Sequence, residues 1–172
     1  IAFTGHEDGP SEAYVIPATG GQAKRLTYFG NNFTMVVGWQ HNKVLCSSNH
    51  EQPFQRMLSL YSIDIEGNFP SKLPTGVARN CSYGPDGGIV IGRNTRDSAY
   101  WKRYRGGTAG VLWIDEEGDG NFRKLIDLNG NFNTPMWIDK RIYFSVDHQG
   151  IANIYSCLPD GNDLQQHTFH KN

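Results

Sequence analysis

Met136-Trp137, Ile142-Tyr143-Phe144, Ile154-Tyr155-Ser156-Cys157 and Gln165-Gln166-His167-Thr168 are four short runs within residues 136–168, the last two parted by Asp160-Gly161-Asn162. Each run is too short for an ordinary helix, and Gly and Asn between runs supply the positive φ that hairpin turns need. The stretch therefore reads as four antiparallel strands, each turning directly into the next.

Outward from this stretch the same pattern recurs. Aromatic-centred runs stand at Ala13-Tyr14-Val15-Ile16, Leu60-Tyr61-Ser62-Ile63, Leu112-Trp113-Ile114 and Ile154-Tyr155-Ser156-Cys157, their aromatics 47, 52 and 42 positions apart. After each comes a turn and a short polar strand, as in Glu66-Gly67-Asn68 before Ser71-Lys72-Leu73-Pro74. Three are preceded by a further hairpin, the clearest turn being Pro85-Asp86-Gly87-Gly88. Four strands in a repeat of this length are the signature of a β-propeller blade. The expected fold is all-β, with about four blades near 1–30, 31–76, 77–130 and 131–172. The first lacks its innermost strand, because Ile1 to Thr4 matches the second strand of later units. The chain reads as an open fragment of a larger propeller, and from its start at Ile1 without a Met the natural N-terminus is expected elsewhere.

Composition agrees with one folded β domain. The chain has 172 residues, 38% of them hydrophobic, with 20 Gly and 12% aromatics. Sixteen basic against seventeen acidic residues leave a net charge of -1, which offers no overall attraction to nucleic acid or anionic lipid. No apolar run approaches the roughly 18 residues of a membrane span. Cys46, Cys81 and Cys157 form neither a Cys-x-x-Cys pair nor an even set, so buried thiols in a reducing compartment are expected.

Four sequential antiparallel strands put the connections between second and third strands on one face: His6 to Ser11, Ser47 to Leu58, Arg93 to Gly110 and Asp147 to Ala152. The third gathers Arg93, Arg96, Lys102, Arg103 and Arg105 against Asp97 alone, with Tyr100, Trp101 and Tyr104 interleaved. Such a loop can stack on single-stranded nucleic acid, hold carboxylates through Arg, or pack its aromatics on a neighbouring domain, the reading favoured here. His6, His50 and His148 recur in these turns but on different blades, so they are expected as solvated turn residues rather than metal ligands. His50-Glu51 lacks the second His of a zinc-peptidase helix, and Asp115 to Asn121 lacks the Glu of a calcium loop, Ile126 standing at its twelfth position. Trp39, Tyr83 and Trp137 hold equivalent places and are expected to pack between blades. No catalytic constellation, metal site or cofactor motif is present in the sequence.

Six stretches carry a family resemblance. Ile1-Ala2-Phe3-Thr4-Gly5 with Tyr14-Val15-Ile16-Pro17-Ala18 and Lys24-Arg25-Leu26-Thr27-Tyr28 resembles tricorn-protease and TolB-like propeller repeats. Tyr83-Gly84-Pro85-Asp86-Gly87-Gly88, Trp101 through Gly110, and Ile142-Tyr143-Phe144 with Asp147-His148 look tricorn-like in particular. The resemblance covers essentially the whole chain and implies most of a six-bladed N-terminal propeller. By the same resemblance the parent is a cytoplasmic, self-assembling serine peptidase that trims oligopeptides, with its catalytic Ser and His in a C-terminal part outside this segment. Expected partners are peptides, other domains of the same parent chain and further copies of it. That family's propeller is associated with product passage and with basic residues that anchor a terminal carboxylate. Arg56 is the candidate anchor, with Gln55 where a paired base is expected, and Arg103 and Arg105 are further substrate-binding candidates. The alternative is a TolB-like protein-binding propeller that belongs to no enzyme.

Overall fold

Strand-forming apolar runs, cut at short intervals by Gly, Asn and Asp, leave this chain nothing but hairpins to build. The computed structural model describes residues 1–7, 9–96 and 103–171. Among these are fifteen β-strands and no helix. The chain divides into two compact units, Ile1–Arg79 and Asn80–Asn172.

In the first unit, β1 (Ala2–Gly5), β2 (Glu12–Val15) and β3 (Lys24–Arg25) form a three-stranded antiparallel sheet. Four strands follow in a second sheet: β4 (Thr34–Gln40), β5 (Lys43–Ser48), β6 (Ser59–Asp64) and β7 (Ser71–Val77). In the second unit, β8 (Asn80–Tyr83), β9 (Ile89–Arg93), β10 (Val111–Asp115) and β11 (Arg123–Lys124) form one four-stranded sheet. The other holds β12 (Phe132–Ile138), β13 (Arg141–Val146), β14 (Asn153–Cys157) and β15 (Gln165–Gln166). Every sheet is a meander of sequence neighbours, as the repeat predicts, and the first indeed begins at what is the second strand of the others.

Burial grades across each meander. Val44 to Ser48 of β5 and Ile89 to Gly92 of β9 are buried without a break, so these middle strands are covered on both faces. Strand β13 alternates instead, with Ile142, Phe144 and Val146 inward and Arg141, Tyr143 and Ser145 half-covered, the period of two that sets register. The outermost strands β3 and β11 are two residues long and mostly exposed. Short, charged edges of this kind resist pairing with other chains. Strand β7 is longer than its sequence signals suggest and carries Pro74, which an edge strand tolerates because one side of its ladder is unpaired.

Each unit closes its own core between its two sheets. In the first, Ala13 and Leu26 pack with Val44, Cys46, Tyr61 and Ile63. In the second, Val90, Leu112 and Ile114 meet Phe132, Ile142, Phe144, Val146 and Tyr155. Fully burying one such side chain stabilises by about 1.5–3 kcal/mol. Gly84 shows how tight the second junction is: a Cβ there would lie 2.6 Å from the Trp137 indole. The Trp137 amide also donates to Ser82 Oγ at 2.9 Å. The predicted inter-blade role therefore fits Trp137, whereas Trp39 at the matching place in β4 is 45% exposed. All three cysteines are buried and free, and burial pushes the Cys81 thiol up to about 12 and the Cys157 thiol to about 11.

Candidate functional site

Two connections between second and third strands carry the candidate arginines, one in each unit. In the first unit the β5–β6 connection spans 49–58 and is braced from below. Asn49 Nδ2 donates to the Gln55 carbonyl at 3.3 Å, Gln52 Nε2 donates to Ser59 Oγ at 3.0 Å, and Tyr61 Oη donates to the His50 carbonyl at 2.9 Å. At the tip, Met57 N donates to the Phe54 carbonyl at 3.0 Å, closing a four-residue turn. Phe54, Gln55 and Arg56 are all exposed on this turn. The Arg56 guanidinium makes no hydrogen bond or ion pair with any described residue, and it stands outside the cavity of about 750 Å³ that Tyr28, Phe29, His50 and Phe69 help to line.

The β9–β10 connection of the second unit does the opposite with its arginines. Asp147, at the end of β13 and 1% exposed, accepts the Asn131 amide at 2.7 Å, the Arg103 amide at 2.8 Å and Arg105 Nη1 at 3.0 Å. Arg105 Nη2 donates to the Asp147 carbonyl at 2.9 Å, so both arms of its fork are taken. Arg103 Nε donates to the Gly150 carbonyl at 2.9 Å, while its side chain stays exposed. Burial alone would raise the Asp147 pKa, but the two amides and the Arg105 charge outweigh it and hold the carboxyl below its ordinary range. Of the other basic and aromatic residues counted in this loop, Tyr100, Trp101 and Lys102 lie outside the described residues.

Of the three turn histidines His6 is exposed as expected, and the other two depart from expectation. His50 stacks on Phe29 with ring centroids 4.2 Å apart, and His148 meets Tyr155 edge-on at 4.8 Å. Both are half-buried rather than solvated, because Phe29 from the β3–β4 connection and Tyr155 from β14 each offer a ring a packing face. Burial, then the nearby Arg105 charge, lowers the His148 pKa against the pull of Asp147. Among the described residues no three His, Cys, Asp or Glu side chains gather as a metal site requires. Asp115, in the segment with calcium-loop flavour, spends its carboxylate on the amides of Gly118, Asp119 and Gly120. That makes it a turn, as its sequence predicts.

One feature has no sequence signal. At the end of the second unit opposite the arginine loop, Asp86, Glu116, Glu117, Asp139 and Asp160 surround a cavity of about 460 Å³ beside Trp137. Each acid comes from a different position in four separate turns, so no window of sequence contains them together.

Residues 1–172 match the family described as the tricorn protease N-terminal beta propeller domain. The chain belongs to that family. It is 42% identical over 170 residues to tricorn protease homolog 1 of Streptomyces coelicolor, an overlap that takes in 98% of this chain and 16% of that protein. The crystal structure of the tricorn protease superposes with a TM-score of 0.84 at 36% identity, covering 94% of this chain and 16% of that one. A putative TolB from Agrobacterium tumefaciens gives a TM-score of 0.71 at 18% identity, over 96% of this chain and 59% of that one. This second likeness shows the propeller fold alone. The four meanders are thus propeller blades, and the chain spans about one sixth of the tricorn-type proteins it matches.

Proposed function

We propose that this propeller segment is a non-catalytic docking and channel surface of a tricorn-like serine peptidase, a cytoplasmic oligomer that degrades oligopeptides. Its role is to hold peptide ends while chemistry occurs elsewhere in the parent chain. The observation that carries this reading is the state of Arg56: an exposed guanidinium, unpaired among the described residues, on a turn that is itself braced by Asn49 and Gln52. An unpaired Arg can take a carboxylate through two parallel N–H···O bonds, and a fixed base keeps the bound end at a set distance from a distant reaction centre. Arg103 keeps an exposed guanidinium and serves in this reading as a further anion contact in the second unit. Arg105, paired to Asp147, contributes by fixing the loop that presents Arg103.

The test uses the complete parent protein and matched peptides with free or amidated C-termini. Arg56→Ala is expected to reduce kcat/KM for the free acids about 10- to 100-fold, the worth of a lost charge-assisted pair, and to leave the amides nearly unchanged. Equal losses on both series would remove Arg56 from peptide binding.

A further inference from the structure

Phe54 is the second unpartnered group on the Arg56 turn. It is 69% exposed. Its carbonyl closes the turn by accepting the Met57 amide, and Asn49 and Gln52 fix the segments on either side. Backbone and base are therefore held while the phenyl ring is left to solvent. No ring contact or cation–π pair with a described residue involves Phe54, so the ring and the Arg56 guanidinium, two residues apart on one four-residue turn, are not spent on each other.

We infer that Phe54 is a specificity determinant that selects peptides whose last residue is apolar. The inference rests on the reading of Arg56 as the carboxylate anchor. At a peptide's C-terminus the carboxylate and the final side chain leave the same Cα, so a surface that grips one lies within reach of the other. A guanidinium and an aromatic on one four-residue turn match that pairing: the charge takes the carboxylate, and the ring covers an aliphatic or aromatic side chain that would otherwise stay wet. A charged final residue gains nothing from the ring and loses hydration against it. The contact is open on one side, so the selectivity is modest. We expect about a 3- to 10-fold preference, the lower range for an apolar group in partial contact.

The experiment measures equilibrium binding of fluorescein-labelled peptides to the complete parent protein by anisotropy, so that it does not depend on turnover. One sequence is made ending in Phe, Leu, Ala or Asp, each as free acid and as amide. The expected result is tighter binding of the Phe and Leu acids than of the Ala and Asp acids by the factor above. Phe54→Ala should level the series, Phe54→Leu should keep most of the preference, and Arg56→Ala should weaken all free acids together. If Phe54→Ala leaves the ratios unchanged, or weakens every peptide equally, the inference is overturned while the Arg56 reading stands. If it alters the oligomeric state and not the ratios, Phe54 is an assembly contact and the inference is likewise overturned. If free acids and amides bind alike to the unmodified protein, the reading of Arg56 itself fails.

Discussion

The two long connections between second and third strands hold equivalent places in the repeat and differ in what the fold does with their cations. At 49–58 a single arginine stands on a turn braced by neutral side chains and keeps its guanidinium for solvent. At 94–110 the arginines are numerous, yet Arg105 is held by a buried acid from the next blade and Arg103 is partly held by that blade's turn. A count of basic residues thus points to the second loop, whereas a count of unpaired ones points to the first. The lesson is that a cation marks a binding surface only after its acceptors in the fold have been subtracted.

The largest break in this comparison comes from removing the acceptor. Asp147→Ala deletes a buried carboxylate that serves two backbone amides and Arg105. We expect a loss of about 2–4 kcal/mol in the second unit, moderated because Arg105 is 29% exposed and water reaches it. Hydrogen exchange in the complete protein checks this. The amides of Arg103 and Asn131 should lose their protection, while those of the 49–58 connection keep theirs.

Next in size is Arg56→Lys, which keeps the charge and removes the fork. If Arg56 binds a carboxylate bidentately, Lys should recover only part of the affinity, leaving free-acid peptides about 5- to 10-fold weaker. Full recovery by Lys would mean that a point charge suffices and that the geometry of the turn plays no part.

How far this was legible in the sequence follows from distance along the chain. Turns and strands are written locally: Asp86-Gly87-Gly88 and Asp160-Gly161-Asn162 announce hairpins, and the run Ile142-Tyr143-Phe144 announces a strand. Arg56 was named through the family resemblance alone, and no turn signal announced its four-residue turn, although the bonds that shape it all lie within Asn49–Tyr61. The fate of Arg105 was not legible, because its acceptor lies 42 residues away. Likewise nothing in the triplet around His50 reveals that Phe29 will stack on it. The acid-lined cavity beside Trp137 is a further case, assembled from turns that only the meander brings together.

Acid titration sharpens the comparison in the first unit. Glu12 is fully buried at the start of β2, where it accepts Gly30 N at 2.8 Å and Arg25 Nη2 at 3.0 Å, and also Thr27 Oγ1. Burial works to raise its pKa, and these donors, with the Phe29 amide, prevail and lower it. A carboxyl with a depressed folded pKa contributes stability that is complete above its unfolded value, about 4.3, and is lost as pH falls through the folded value. Melting of the complete protein between pH 6 and pH 2.5 should show this loss as a fall in Tm that sets in below about pH 4.3. Glu12→Gln should be less stable at pH 6 and flatter with pH below 4. Equal slopes would remove Glu12 from the acid response.

The smallest effect separates the two uses of an arginine within one side chain. Arg103 gives Nε to the Gly150 carbonyl, and its backbone amide, not its side chain, reaches Asp147. Arg103→Ala therefore keeps the buried hydrogen bond and removes only an exposed one, so stability should change by no more than about 0.5 kcal/mol. Any binding role must then show itself without a folding defect. If Arg103 contacts anions, the variant should bind free-acid peptides about 2- to 3-fold less well at low salt, and the difference should fade as added salt screens the exposed charge. An unchanged salt dependence would assign Arg103, like Arg105, to holding the loop in place, and would leave Arg56 as the arginine that the fold keeps free.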